Sequence, residues 1–390
     1  MKETVPADRI GNVQEYYFSV KLKEIAQMNA QGADVINLGI GSPDLPPSKE
    51  VTDTLAEGAA DPKGHGYQPY VGIPQLRAAF AQWYKRWYNV DLNPHNEVLP
   101  LIGSKEGIMH ISMAFINEGD GVLVPNPGYP TYSSVSKLVG ARIISYNLRE
   151  EQQWQPDLEQ LEEQHRAGEI NLDKVKLMWC NYPNMPTGAN GSMELFEKLV
   201  AFGKKYGIII CHDNPYSFIL NDNPLSILSV EGAKDICIEL NSMSKSHNMP
   251  GWRIGMLASN SQFVEWILRV KSNMDSGMFR AMQLAAVKAL SAPPEWYSKM
   301  NQVYSARKAL AQAILEKVGA EVAPGQVGMF LWGKVQGKGV DICDNVLYKA
   351  KVFITPGIIF GSNGENYIRI SLCANEQTLQ KALDRIEKEL

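Results

Sequence analysis

Short apolar runs rich in β-branched residues alternate with amphipathic stretches through the middle of the chain. The runs are VLVP (122–125), ARIISYNL (141–148), VKLMWC (175–180), GIIICHD (207–213), ICIELNS (236–242) and RIGMLAS (253–259). Between them, residues 193–206 and 261–271 carry apolar side chains at helical spacing, the first stretch introduced by the capping pair Gly191-Ser192. This alternation predicts an α/β fold with a mostly parallel sheet covered by helices. Right-handed crossovers would stack the units into one doubly wound layer.

The last third reads differently. A long helical stretch over 294–318, the run VGMFLWGKV, a helix near 342–350, VFITPG, YIRISLC and a final helix predict a separate α+β lobe. The opening segment holds a helix over 13–31, closed by Gly32, and a strand VINLGIG. It is too short to form a domain alone, so it is expected to pack on the C-terminal lobe or to bridge to a partner subunit.

Composition narrows the function classes. A chain of 390 residues with 45% hydrophobic content can bury a large core. Its 38 basic and 42 acidic residues, net −4, are mixed along the chain, which points away from nucleic acid and anionic lipid and toward a small-molecule partner. Five scattered cysteines, none in a Cys-x-x-Cys pair, argue against a disulfide framework or a zinc ribbon. The start lacks an apolar signal core and no apolar run approaches the ~18 residues of a membrane span, so a cytoplasmic protein is expected.

The candidate chemistry begins with NSMSKSHNMPGWRIG, where Lys245 follows a predicted strand among small polar residues and Arg253 lies further on. Taken alone, such a lysine is a solvated loop residue more often than not. One strand earlier, Asp213 sits at a strand end with Tyr216 following. A carboxylate there can pair with a protonated pyridine nitrogen and the phenol can bond the ring's 3'-oxygen, although a turn aspartate reads the same way. In LIGSKEGIMHI, Gly103, Ser104 and Lys105 stand between strand and helix, where exposed N–H groups suit a phosphate. Ser242, Ser244 and Arg253 can complete that cup. PNPGYPTY offers Tyr129, either a stacking platform for a flat heterocycle or a core tyrosine.

These stations, in this order, resemble the fold-type I pyridoxal-phosphate enzymes of the class I/II aminotransferase family over almost the whole chain. The resemblance implies pyridoxal 5'-phosphate held as a Schiff base on Lys245, with Arg253, Gly103, Ser104, Lys105, Ser242 and Ser244 at its phosphate. Asp213 and Tyr216 would hold the ring nitrogen and 3'-oxygen, and Tyr129 the ring face. Tyr67, in HGYQPYVGIPQLR, matches the tyrosine that reaches the partner subunit's cofactor phosphate, which implies a homodimer with shared sites. Gly41, in INLGIGSPD, matches the glycine beside the substrate carboxylate, and Arg369, in YIRISL, the arginine that grips it with two parallel hydrogen bonds. The implied architecture is a large domain with a mostly parallel seven-stranded sheet over 46–285 and a smaller α+β domain built from 1–45 and 286–390.

One departure stands out. Where the family carries Asn-Pro-Thr-Gly, this chain reads NYPNMPTG, with Met185 at the asparagine. Asn184 or Asn181 substitutes from a neighbouring position, or the site manages with Tyr216 and Arg369. The implied reaction moves the α-amino group of an L-amino acid to a 2-oxo acid by ping-pong chemistry, with the freed Lys245 amine taking the Cα proton. Arg280, in SNMDSGMFRAMQ, lies where dicarboxylate-specific relatives place an arginine, while Tyr16, Tyr17 and Phe18 would favour an apolar or aromatic side chain. The same scaffold supports β-elimination, and a non-enzymatic regulator would add a DNA-binding module for which these residues leave no room. No Gly-x-Gly-x-x-Gly turn supports a nucleotide oxidoreductase, no histidine spacing supports a metal, and His212 reads as a strand packing residue.

Overall fold

In a computed structural model of the protein, which describes residues 4–13, 15 and 17–390, the alternation of strands and helices produces one large sheet. Strand β1 (Ile36–Asn37) belongs to the opening segment. The large sheet comprises β2 (Val98–Leu101), β3 (Gly121–Asn126), β4 (Arg142–Asn147), β5 (Val175–Cys180), β6 (Ile209–Asp213), β7 (Cys237–Ser242) and β8 (Gly255–Ala258). Their spatial order is β2-β8-β7-β6-β5-β3-β4, and all neighbours are parallel except β8, which runs antiparallel to both β2 and β7. Every residue of β6 and β7 is buried, as expected for strands covered on both faces by crossover helices. Pro100 sits in β2, an edge strand, where a missing N–H is tolerated.

Local signals set the helix ends. The helix Met193–Tyr206 starts where Ser192 Oγ accepts from the Leu195 N–H at 3.1 Å, and it stops at Gly207 in the left-handed region, φ +66°. Ser261–Lys271 likewise starts on Asn260, whose side chain accepts from the Phe263 N–H at 2.9 Å. The first helix runs Tyr17–Ala30; Gln14 and Tyr16, which the expected helix includes, lie outside the described residues.

The smaller lobe uses β9 (Glu321–Val322), β10 (Phe330–Lys334), β11 (Val352–Phe353), β12 (Thr355–Pro356) and β13 (Tyr367–Ser371). Here the structure departs from the sequence reading in two places. VFITPG is not one strand, because β11 pairs with β1 and β12 pairs with β13, so the chain changes sheets at Ile354. The helix expected near 342–350 is Gly339–Asn345 followed by a π turn, Val346–Ala350. The opening segment does pack on the C-terminal lobe. β1 lies parallel to β11, and Asp44 grips the buried Arg307 of the long helix Pro294–Lys317 through two hydrogen bonds of 2.6 and 2.9 Å. Residue 285, the expected end of the large domain, falls inside the continuous helix Arg280–Leu290. Among the described residues no helix is long and apolar enough to cross a membrane, and all five cysteines are buried thiols.

Going along the chain, β4 is added on one side of β3 and β5 on the other. A crevice therefore opens beyond the carboxyl ends of β3 and β5, where ligands of such sheets bind.

Candidate active site

A cavity of about 760 Å³ occupies this crevice, between the carboxyl edge of the large sheet, the β10–β13 face and the first helix. Lys245 enters it from the short helical turn Met243–Ser246 directly after β7, where Ser242 Oγ caps the Ser244 N–H at 3.2 Å. Its ammonium donates to the Gly41 carbonyl. Burial holds the lysine below its ordinary pKa; the nearby Cys373 thiol opposes that shift, and the charges of Arg369 and Arg253 add to it. An amine so placed gives up its proton readily, as a nucleophile and base must.

Asp213, the last residue of β6, lies on the same cavity. Its Oδ2 accepts from the Tyr132 hydroxyl at 2.9 Å and its main-chain oxygen from Asn181 Nδ2 at 2.6 Å. Its Oδ1 is buried with no hydrogen-bond partner among the described residues. Burial pushes its carboxyl up to about 6, against the opposing pull of Tyr132 and of His212. Tyr132 is itself stacked on Trp179, rings 5.1 Å apart and nearly parallel, so the carboxylate is held from below by a rigid pair. Tyr129 stands edge-on to Tyr132 at 5.5 Å, and Tyr216 follows Asp213 onto the same wall, its phenol pushed up first by burial and then by Asp213.

The other end of the cavity is cationic. Gly103 turns into the helix Ser104–Phe115 with φ +81°, and a Cβ there would collide with the Arg253 guanidinium. Arg253 adopts a left-handed φ of +56° and is steadied by a 2.8 Å bond from Nη1 to the Pro250 carbonyl. Ser242 and Ser244 share a 2.9 Å hydrogen bond beside it. Lys105, on the first helical turn, has its pKa lowered by burial and by Arg253. Two cations, two hydroxyls and a helix start together suit a dianionic phosphate.

On the opposite side, Arg369 projects from the middle of β13 and is almost fully buried. Its guanidinium lies 3.9 Å from the Phe330 ring centre and 4.7 Å from that of Phe360. Nη2 donates to the Gly39 carbonyl at 2.6 Å, and Nη1 meets the Met185 sulfur at 3.1 Å. Gly41 has no room for a side chain, since a Cβ would strike the Phe330 ring.

Three expected residues stand elsewhere. Asn184 is spent within its turn, its Oδ1 accepting from Thr187 Oγ1 at 2.8 Å and its Nδ2 bonding the Asn181 carbonyl at 3.2 Å. Asn181 and Met185, not Asn184, line the cavity. Asn181 is committed too, because its Oδ1 accepts from the Met185 N–H at 2.7 Å. Tyr67 is 94% exposed, beside the 276–279 loop and away from this chain's own cavity. Arg280 is also outside the cavity and pairs with Asp61 at 3.1 Å.

The sequence reading passed over Tyr132, Phe330 and Phe360, and placed Phe18, which also lines the cavity, only as a side-chain reader. Tyr132 was within reach of it, being one helical turn beyond Tyr129 and hence on the same helix face. Glu106, His110 and Asp275 approach one another, but the Lys271 ammonium already lies 2.6 Å from Asp275 and takes up that carboxylate.

A model of the family "Aminotransferase class I and II" matches residues 33–386. The LL-diaminopimelate aminotransferase of Dehalococcoides mccartyi strain BAV1 is 40% identical over 382 residues, 97% of each chain. Substrate-bound BacF of Bacillus subtilis is similar in structure with a TM-score of 0.91 at 35% identity, covering 99% of this chain and 98% of that one. A mutant of Thermus thermophilus aspartate aminotransferase, 23% identical and with a TM-score of 0.90 over the whole of both chains, shares the fold. Over nearly its entire length this chain therefore belongs to the class I and II aminotransferases, a pyridoxal-phosphate-dependent family, and it is a transaminase.

Proposed function

We propose that this protein binds pyridoxal 5'-phosphate at Lys245 and transfers the α-amino group of an L-amino acid to a 2-oxo acid. The observation that carries the reading is the unpartnered, buried Oδ1 of Asp213 on the same cavity as the Lys245 amine. A carboxylate oxygen left bare in the interior is costly unless a cationic ligand atom meets it, and a protonated ring nitrogen is such an atom. When bound, the cofactor supplies the heterocycle that accepts the electron pair released at the substrate Cα.

The chain's own residues do the rest. Ser104, Lys105, Ser242, Ser244 and Arg253 hold the phosphate, Tyr129 covers the ring face, and Tyr216 reaches the 3'-oxygen. Arg369 takes the α-carboxylate through its forked donors, which orients the Cα–H bond toward Lys245. Lys245, its pKa lowered by burial, removes that proton and returns it at the neighbouring carbon. Phe330, Phe360 and Phe18 exclude water from the carboxylate clamp, which strengthens it. The exposed Tyr67 supports a homodimer in which it reaches the partner's cofactor phosphate, and the enzyme is assigned to the cytoplasm. Gly103→Ala is expected to weaken cofactor binding by about 10-fold or more, since it pushes Arg253 off the phosphate position; dialysis of the cofactor from the variant measures this.

For the donor, the relatives named for LL-diaminopimelate make a diamino dicarboxylic acid the first candidate. Arg280 would read its distal carboxylate only from the partner's side, because it lies outside this chain's cavity. Arg280→Ala should then lower turnover of the dicarboxylic donor by about 10-fold relative to alanine, as loss of one charged contact implies; an unchanged ratio rejects that role. A second reading, an apolar or aromatic donor, is favoured by Phe18, Leu22, Ile40, Phe330 and Phe360 on the cavity wall. Mixing the purified holoprotein with each amino acid in turn decides between them. A change in the cofactor's visible absorbance with release of the matching 2-oxo acid is expected. Release of ammonia and pyruvate from a β-substituted amino acid would identify a lyase instead.

A further inference from the structure

The transamination roles of Asp213 leave a second buried acid–base pair unused, one residue away. Side chains alternate along β6, so His212 points to the face opposite Asp213. There it stands across the ladder from Glu239 of β7, and both side chains are wholly buried. Four donors converge on the Glu239 carboxylate: His212 Nδ1 at 2.8 Å, the Tyr84 hydroxyl at 2.8 Å, the Ser226 hydroxyl at 2.9 Å and the Ile227 N–H at 3.0 Å. With His212 Nδ1 as a donor, the four bonds fill the lone pairs of the carboxylate and leave no site for a proton of its own. Among the described residues no lysine or arginine pairs with it. A buried carboxylate without a counter-charge is strongly disfavoured, which leaves the His212 ring to supply one. The other ring nitrogen, Nε2, then donates to the Tyr182 carbonyl at 3.0 Å; a neutral ring that kept its one proton on Nδ1 for Glu239 would have to accept from the Tyr182 N–H, which is farther away at 3.3 Å.

We propose that His212, charged by Glu239, is a positioning residue for Asp213, keeping its carboxylate ionised and its strand end fixed so that it can hold a protonated ring nitrogen. The inference rests on Asp213 being that partner. Two routes connect the pair to the cavity. The positive ring adjoins Asp213 and opposes the effect of burial on its carboxyl. The ring also clamps the Tyr182 peptide, next to Asn181, whose amide holds the Asp213 carbonyl at 2.6 Å. The other titratable groups near Glu239 are Tyr84, Tyr88, Cys180 and Cys237, and those near Asp213 are Tyr132 and Tyr216; burial pushes every one of these phenols and thiols up, so they stay neutral. Arg369 adds its charge on the cavity side of Tyr216.

The test measures affinity of the cofactor-free full chain for pyridoxal phosphate from pH 5 to pH 9. His212→Gln keeps a donor toward Glu239 and removes the charge. The fall in affinity toward acid pH should begin about one unit higher than in the wild type, making binding about 10-fold weaker at pH 5, about 2-fold weaker at pH 7 and nearly normal at pH 9. Glu239→Gln, which removes the anion that charges the ring, should shift the profile the same way. A loss of equal size at every pH, or an unmoved midpoint, overturns the proposal. Asp213→Asn separates this from the underlying reading: if that variant binds like wild type, Asp213 is not the ring partner and both fall. Neutron diffraction of the wild-type holoenzyme at pH 7 needs no variant to fold. Deuterium on both His212 nitrogens is expected, and a bare Nδ1 or a bare Nε2 overturns the inference.

Discussion

Lys245→Ala protein is expected to lose amino-group transfer by roughly 10⁴-fold, the upper range for removal of a positioned general base, and to carry no cofactor adduct after borohydride treatment. Among the described residues no other amine is placed to substitute. Lys105, the other cavity lysine, belongs to the cationic end beside Arg253, where it is needed as a charge. Burial that makes Lys245 a good base also makes it expendable for folding. Its ammonium is bonded to the Gly41 carbonyl, and alanine is favourable in the Met243–Ser246 turn. The melting temperature of the cofactor-free variant should therefore match or exceed that of the wild type. A borohydride-fixed adduct mapped to any other peptide of the Lys245→Ala protein would remove Lys245 from the reaction.

Asp213→Asn should cut turnover by roughly 10²–10³-fold, in line with loss of one preorganised charge contact to the reacting system. The side chain keeps its shape and can still accept from Tyr132, so the loss isolates the charge. Stability should move the other way. In the cofactor-free protein the Asp213 carboxyl titrates at about 6 instead of 3.8, because ionising it in the interior is unfavourable. A raised carboxyl stabilises the fold fully below its unfolded value, and that stabilisation disappears as pH climbs through about 6. The shift corresponds to ~3 kcal/mol in all, of which about 2 kcal/mol is lost between pH 4 and pH 6. Asp213→Asn has no such titration, so its cofactor-free form should be the more stable one at pH 8, with little difference at pH 4. Thermal melts of both cofactor-free proteins at the two pH values check this. A difference between the two proteins that is the same at both pH values would mean the carboxyl is not perturbed.

Much of the frame is legible in the sequence because the signals are local. Ser192 and Gly207 bracket their helix by hydrogen bonding and by glycine's access to positive φ, neither of which needs a tertiary partner. The runs at β3 and β5 to β8 are marked by near-complete burial, which demands nearly continuous apolar sequence, whereas the edge strand β4 is largely unburied. VFITPG misleads for the converse reason: its residues are uniformly apolar, so nothing in them records that β11 and β12 pair with different strands. Tyr67 and Arg280 lie outside the Lys245 cavity of their own chain, so they could serve such a site only from a partner subunit.

By itself, then, the sequence determined which residue types stand at the ends of which strands: a lysine after β7, an aspartate closing β6, an arginine within β13. It also determined that asparagine is missing at position 185. The tertiary structure decided what those residues became. Burial, not identity, pushes Asp213 up and Lys245 down, and partners as distant in sequence as Tyr132 and Arg369 adjust the two shifts through a hydrogen bond and a charge. The fate of Asn184 was likewise decided by a turn that consumes its amide, leaving Met185 against Arg369. Strand and helix signals act over a few residues, but desolvation and ion pairing act through space, and only the folded chain fixes that space.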